Sequence, residues 1–140
     1  MSILRNLHPG FVLAASESAA TEDAIERLRE FASVGVPEDY EDIVREATEP
    51  EIQLRDHIYI RVWSPDGCIE MNDAYEVQAA IPNSLAVGDD EGGRAFIYMT
   101  GSQGFGLYIV GFGALAVEEA DFVAPSLKDL LTEGTGVENL

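Results

Sequence analysis

Leu85-Ala86-Val87-Gly88-Asp89-Asp90-Glu91-Gly92-Gly93-Arg94-Ala95-Phe96-Ile97-Tyr98-Met99 decides the fold, together with its continuation Gly101-Ser102-Gln103-Gly104-Phe105-Gly106-Leu107-Tyr108-Ile109-Val110-Gly111. Two runs of turn-forming residues, 89–93 and 101–106, separate three apolar segments near 85–88, 94–99 and 107–111. Gly, Asp and Ser supply the backbone angles of tight turns. Linkers this short join antiparallel strands and forbid parallel crossovers. The stretch therefore predicts a β-meander, with a further strand expected through Ala114–Val117. Beyond it, Phe122-Val123-Ala124-Pro125-Ser126-Leu127-Lys128-Asp129-Leu130-Leu131 opens a helix. Ser126 is its N-cap, Asp129 stands at N3, the leucines form its apolar face and Gly134 stops it.

Upstream the apolar period is helical. Ile25, Leu28 and Ala32 share a face behind Thr21 as N-cap, and Gly35 ends that helix. Pro37, near N1, opens a second helix with Tyr40, Ile43, Val44 and Ala47 inward and Glu41, Asp42, Arg45 and Glu46 toward water. Thr48-Glu49-Pro50 terminates it. The period then becomes two: Ile52 and Leu54, then Ile58, Ile60 and Val62 alternating with Tyr59, Arg61 and Trp63. Ser64-Pro65-Asp66-Gly67 breaks the strand. Cys68–Ala80 fits neither template, with a short helix before Tyr75 as one option.

Residues 1–20 read as an N-terminal arm, 21–134 as a single domain and 135–140 as a frayed tail. The expected class is α+β, with N-terminal helices packed on an antiparallel β-meander sheet and a short C-terminal helix.

The chain has 140 residues, of which 46% are hydrophobic, enough for one domain with a core. Its 26 acids against 8 bases give a net charge of −18. Such a surface repels phosphate backbones and anionic lipid and attracts basic protein surfaces. The same acidity also suits a chain that simply stays soluble in the cytosol or at high salt. The single cysteine, Cys68, rules out an internal disulfide and a cysteine-rich zinc site. Phe11-Val12-Leu13-Ala14-Ala15 is shorter than most signal-peptide cores and follows His8-Pro9-Gly10, so a cytoplasmic protein is expected.

Nothing in the sequence nominates a catalytic residue, a cofactor or a metal. Asp89, Asp90 and Glu91 lack the spaced oxygen ligands of a calcium loop and read as a turn. His8 and His57 have no clustered partners. Cys68 has Glu70 nearby rather than a base, which suits a buried structural thiol. The glycines at 101, 104, 106, 111 and 113 lack the Gly-Lys-Ser/Thr ending of a phosphate loop. Tyr40, Trp63 and Tyr75 read as core or semi-core.

Acidic groups are the abundant resource. Residues 17–51 carry 12 acids and 3 bases. Glu26, Glu30, Glu38, Glu41, Asp42, Glu46 and Glu49 are placed outward on the two helices, and Glu118-Glu119-Ala120-Asp121 forms a second group. The expected partner-binding set is Glu38, Glu41, Asp42, Glu46, Asp89, Asp90, Glu118 and Glu119. The expected partner is a protein, with no direct nucleic-acid or membrane contact, and the chain itself a monomer or weak dimer.

Five segments in order carry a resemblance. They are Pro37-Glu38-Asp39-Tyr40, Val62-Trp63, Asn72-Asp73-Ala74-Tyr75, Val87-Gly88-Asp89-Asp90-Glu91-Gly92 and Val123-Ala124-Pro125-Ser126-Leu127. Over roughly residues 30–134 the chain resembles the SUKH (Smi1/Knr4) superfamily. It departs from that pattern at Ala47-Thr48-Glu49-Pro50-Glu51, where family members often carry a Gly-rich segment. The resemblance implies a non-enzymatic protein-binding domain. Its bacterial form would be an immunity protein that neutralises a cognate toxin, such as a nuclease, and its alternative a regulatory or scaffolding module like the fungal cell-wall regulators.

Overall fold

The computed structural model describes residues 2–140. Seven strands follow one another through a single antiparallel sheet in strict chain order. They are β1 (Val12–Glu17), β2 (Thr48–Arg55), β3 (Ile58–Val62), β4 (Leu85–Asp89), β5 (Arg94–Gly101), β6 (Gly104–Gly111) and β7 (Asp121–Ala124). Helices α1 (Glu22–Phe31) and α2 (Glu38–Glu46) lie between β1 and β2. Between β3 and β4 come α3 (Pro65–Ala74) and α4 (Val77–Ala80), and α5 (Leu127–Glu133) follows β7. This is the expected α+β class, helices on an open antiparallel sheet.

Side-chain alternation explains the layering. In β2, Thr48, Pro50, Ile52 and Leu54 are buried while the residues between them are not. β4 is buried along its whole length, and so are the centres of β5 and β6. One core joins Ile25 and Leu28 of α1, Tyr40, Ile43 and Val44 of α2, Ile60, Phe96 and Tyr108 of the sheet, and Leu127, Leu130 and Leu131 of α5. Each such side chain contributes about 1.5–3 kcal/mol by leaving water.

The caps form as read. Thr21 accepts from the Ala24 N–H at 3.1 Å, and Ser126 Oγ accepts from the Asp129 N–H at 3.1 Å. Gly134 closes α5 at φ 73°. The β5–β6 hairpin is clamped by Tyr108, whose hydroxyl accepts from the Gln103 N–H at 2.9 Å and donates to the Gly104 carbonyl at 2.7 Å. Its ring lies so close over Gly101 that a Cβ there would sit 2.6 Å from it.

Several local expectations are corrected. The supposed arm contains β1, paired to β2; its alternation is invisible because every residue of it is exposed. α1 ends at Ala32, short of Gly35, and Pro37 is the N-cap of α2 rather than N1. Thr48-Glu49-Pro50 belongs to β2, with Glu49 at φ 50°. No strand runs through Ala114–Val117; 3-10 turns at Phe112–Ala114 and Val117–Glu119 lead into β7. Cys68–Ala80 is the body of α3 plus α4. Ser64 caps α3 and Pro65 opens it, so a sequence that reads as a turn is a helix start. Residues 135–140 are not frayed: Val137–Asn139 form a 3-10 turn against β7, and Asn139 Nδ2 donates to the Val123 carbonyl at 3.3 Å.

One polar residue completes the sheet. β3 leaves β4 after the bond from the Trp63 N–H to the Val87 carbonyl at 2.9 Å, so Ala86, paired with Ile97 of β5 on one side, has no strand on the other. The buried Asn72 of α3 supplies the missing pairing. Its Oδ1 accepts from the Ala86 N–H at 3.0 Å and its Nδ2 donates to the Ala86 carbonyl at 2.8 Å. Nδ2 also donates to the Cys68 carbonyl at 2.7 Å, and Oδ1 accepts from Gln78 Nε2 at 2.9 Å. The carboxamide is fully satisfied. We expect Asn72→Ala to cost about 2–4 kcal/mol, because it strands a buried N–H and a buried carbonyl. Asn72→Asp should also destabilise, since it cannot donate to Ala86 or Cys68. Urea unfolding of the purified variants checks both.

Candidate protein-interaction surface

The acids expected at a partner interface fall into three environments. Glu38, Asp42 and Glu46 follow one another at i, i+4 and i+8 along α2, a spacing that places them on one helix face. Glu38 and Glu46 are exposed and Asp42 is half-buried. Among the described residues none of the three takes part in an ion pair, although Glu46 Oε2 accepts from the Leu4 N–H at 3.2 Å. Glu38 and Asp42 line a cleft of about 370 Å³ with Asp39, Ser126 and Lys128.

Glu41 is a correction. Expected outward, it is buried between the two N-terminal helices. It accepts from Arg29 Nε at 2.8 Å and Nη2 at 2.6 Å, and lies 3.4 Å from Arg45 Nη2. Arg45 in turn donates to Glu22 at 2.9 and 3.1 Å, and Arg29 reaches Glu26 at 3.3 Å. This chain of alternating charges ties α1 to α2. It raises the Arg29 guanidinium pKa, chiefly through the hydrogen bonds and charge of Glu41.

Asp89 and Asp90 are also committed internally. Asp89 is buried at the end of β4. Its Oδ2 accepts from Trp63 Nε1 at 2.7 Å and Arg61 Nη2 at 3.1 Å, and its Oδ1 from the Glu91 N–H at 2.8 Å. Asp90 accepts from the Gly92 N–H at 2.8 Å, the Arg94 N–H at 2.9 Å and Arg94 Nε at 2.8 Å. Burial alone would push the Asp90 pKa up, but the Arg94 and Gly92 donors outweigh it and hold the carboxyl below its ordinary range. These two acids build the β4–β5 turn.

Glu118 and Glu119 are exposed in the second 3-10 turn. They line neither the cleft beside α2 nor the groove beside β1. The eight expected residues therefore do not converge on one site, and three of them are structural.

Asp39 was not singled out by sequence and organises the cleft floor. Its Oδ2 accepts from Tyr98 Oη at 2.7 Å and from the Lys128 N–H at 3.0 Å, and its Oδ1 accepts from the Tyr40 N–H at 2.9 Å. Tyr98 Oη also accepts from the Leu127 N–H at 2.8 Å. One carboxylate thus joins the starts of α2 and α5 to β5. Burial, then the Asp39 charge, raises the Tyr98 phenol well above its ordinary range.

The remaining candidates are structural. Cys68 is buried, donates to Tyr40 Oη at 3.2 Å, and is pushed up to about 12 chiefly by burial. His57 is exposed in the β2–β3 turn at φ 61°, and His8 packs edge-on to Phe11 at 5.1 Å. Tyr40 and Trp63 are core residues, but Tyr75 is 45% exposed, its ring 4.5 Å from that of Phe112. Among the described residues no three His, Cys, Asp or Glu side chains are grouped to hold a metal ion.

The bases show where the charge imbalance lies. Arg27, Arg29, Arg45, Arg61 and Arg94 are all held in ion pairs within the chain, with Asp66, Glu26, Glu41, Glu22, Asp89 and Asp90 as their partners. Of the 8 bases only Arg5, Arg55 and Lys128 stand outside such pairs among the described residues.

No protein-family model matches the chain, and no curated protein matches it. Among the described residues no helix is long and apolar enough to cross a membrane.

The β4–β5 turn carries a measurable pH dependence. The folded pKa of Asp90 lies below its unfolded value, so its stabilisation is complete above the unfolded pKa of about 3.9 and is lost as pH falls through the folded value. We expect Asp90→Ala to lose about 1–3 kcal/mol at neutral pH. The gap between wild type and Asp90→Asn should stay constant above about pH 5 and close below about pH 4. Urea midpoints across that range test this.

Proposed function

We propose that this chain is a protein-binding domain whose partner presents a basic surface. The observation that carries the reading is the outer face of α2. Among the described residues Glu38, Asp42 and Glu46 stand in line without ion pairs, while five of the 8 bases are taken up in pairs with other acids. A solvated helix ordinarily mixes both signs on its open face. Here the neighbouring arginines, Arg29 and Arg45, are engaged by Glu41, Glu26 and Glu22, which leaves the row of Glu38, Asp42 and Glu46 without a matching base among the described residues.

The specific form of the proposal is immunity: neutralisation of a basic toxin by occlusion. Support comes from the five ordered segments that resemble the SUKH superfamily and from the chemistry of the face. Carboxylates spaced along a helix meet lysines and arginines much as the phosphates of a nucleic-acid substrate would, which favours a nuclease as the toxin. Long-range attraction makes such an encounter fast and salt-dependent, while desolvated contacts at the centre set its lifetime.

Capture of the tagged protein's partner from native lysate, followed by binding kinetics with the isolated partner, tests this. Glu38→Lys, Asp42→Lys and Glu46→Lys combined should lower the association rate by about tenfold or more at low salt, with dissociation little changed. Co-expression of the wild type, but not the triple variant, should relieve the partner's toxicity. A partner whose association ignores both salt and the triple substitution overturns the proposal.

A further inference from the structure

Strand backbone lacks a neighbouring strand at several places in the sheet, and the chain itself covers two of them. Asn72 fills the gap beside Ala86. The outer side of β7 is covered by the turn after α5: Asn139 donates to the Val123 carbonyl, and Gly136 packs so closely that a Cβ there would lie 1.8 Å from that carbonyl. Pro125 ends β7 at once. A whole strand is left open at the outer edge of β1. All six of its residues are exposed, Val12 by 52% and Leu13 by 38%. Among the described residues its backbone pairs with β2 alone. Its register is shifted against β2 between Leu13 and Ala15 and between Ala15 and Glu17. Sheet edges left bare in this way, with no Lys or Pro in the strand, are templates for another strand.

The chemistry of this edge selects its occupant. Val12-Leu13-Ala14-Ala15-Ser16 carries no charge in a chain of net charge −18, so here two copies can meet without opposing carboxylates. The strand is also self-complementary when run antiparallel about Ala15. That register sets Leu13 opposite the partner's Glu17 and Ala14 opposite the partner's Ser16. Leu13 and Glu17 pair across β2 with the buried Ile52 and Thr48, so they share one face of the sheet. On that face Leu13 lines a groove of about 530 Å³ with Arg5, Arg45 and Glu46. The partner's Glu17 therefore arrives beside Arg5, one of the three bases without an ion pair, and the two-fold axis makes this contact twice.

We propose that β1 is a homodimerisation edge, joining two sheets into one through antiparallel β1–β1 pairing with Arg5 receiving the partner's Glu17. One short strand pair buries less than the area of a standard stable interface, so the dimer is weak and forms only at high protein concentration. It is independent of the basic-partner reading, and salt separates the two. Screening relieves repulsion between two acidic copies and strengthens the dimer, whereas it weakens binding to a basic protein.

Sedimentation velocity of the full chain across a protein concentration series, at about 20 mM and about 500 mM salt, is the test. The expected result is a monomer–dimer equilibrium whose dimer fraction rises with salt. Ala15→Lys, at an exposed position that leaves the core untouched, should abolish the dimer by setting like charges opposite each other on the two-fold axis. Arg5→Glu and Glu17→Arg should each weaken it several-fold and restore it when combined, with circular dichroism confirming that each variant is folded. A protein that remains monomeric to about 1 mM at high salt overturns the proposal. So does a dimer indifferent to Ala15→Lys, or one that the combined charge swap fails to restore.

Discussion

β4 is buried on both faces, yet β3 accompanies it only from Val87 onward. An unpaired peptide at Ala86 would stand in the core at a cost of a few kcal/mol. The carboxamide of Asn72 removes that cost because it carries one donor and one acceptor at the spacing of a strand's own N–H and carbonyl. Much else follows from this contact. It sets the position of α3, and with it the buried thiol of Cys68 under Tyr40. Through Gln78, which also donates to the Ser84 carbonyl at 3.1 Å, it fixes the chain's return into β4. α1 packs on α3, so the acidic helices inherit their placement from the same residue.

The electrostatics have a similar inward logic. Arginine is suited to internal carboxylates, since its fork meets both oxygens at once. Arg29 does this at the buried Glu41, and Arg45 makes the same two-oxygen contact with the exposed Glu22. Each bridge cancels charge between α1 and α2 and leaves Glu38, Asp42 and Glu46 unmatched among the described residues. An acidic surface thus arises from where the few bases are placed as much as from the number of acids.

The meander, its turns and the capped last helix were legible because their signals are local. Hairpin residues lie within five positions of each other, and Thr21 and Ser126 bond three residues on. The interaction residues were less legible. Glu41 and Glu38 look alike on a helical wheel, and only the arrival of Arg29, twelve residues earlier, separates them. Asp89 reads as a turn acid until Trp63, 26 residues away, donates to it. β1 escaped because a strand exposed on both faces has no period to show. The helix before Tyr75 was one option in the sequence, but its start was missed because Ser64-Pro65-Asp66-Gly67 is both a good turn and a good helix start, and tertiary packing chose between them.

Strict chain order in the sheet has a kinetic side. Every strand joins one already beside it, so no strand must thread between two others. The β5–β6 hairpin is the most local unit, with Tyr108 locking onto Gln103 and Gly104 only a few residues before it. Contacts of such short range close at little entropic cost and favour early formation. β4 and β7 can then zip onto either side. The pairings β1–β2 and β3–β4 each close across two intervening helices, so the topology favours assembly from the β5–β6 hairpin outward.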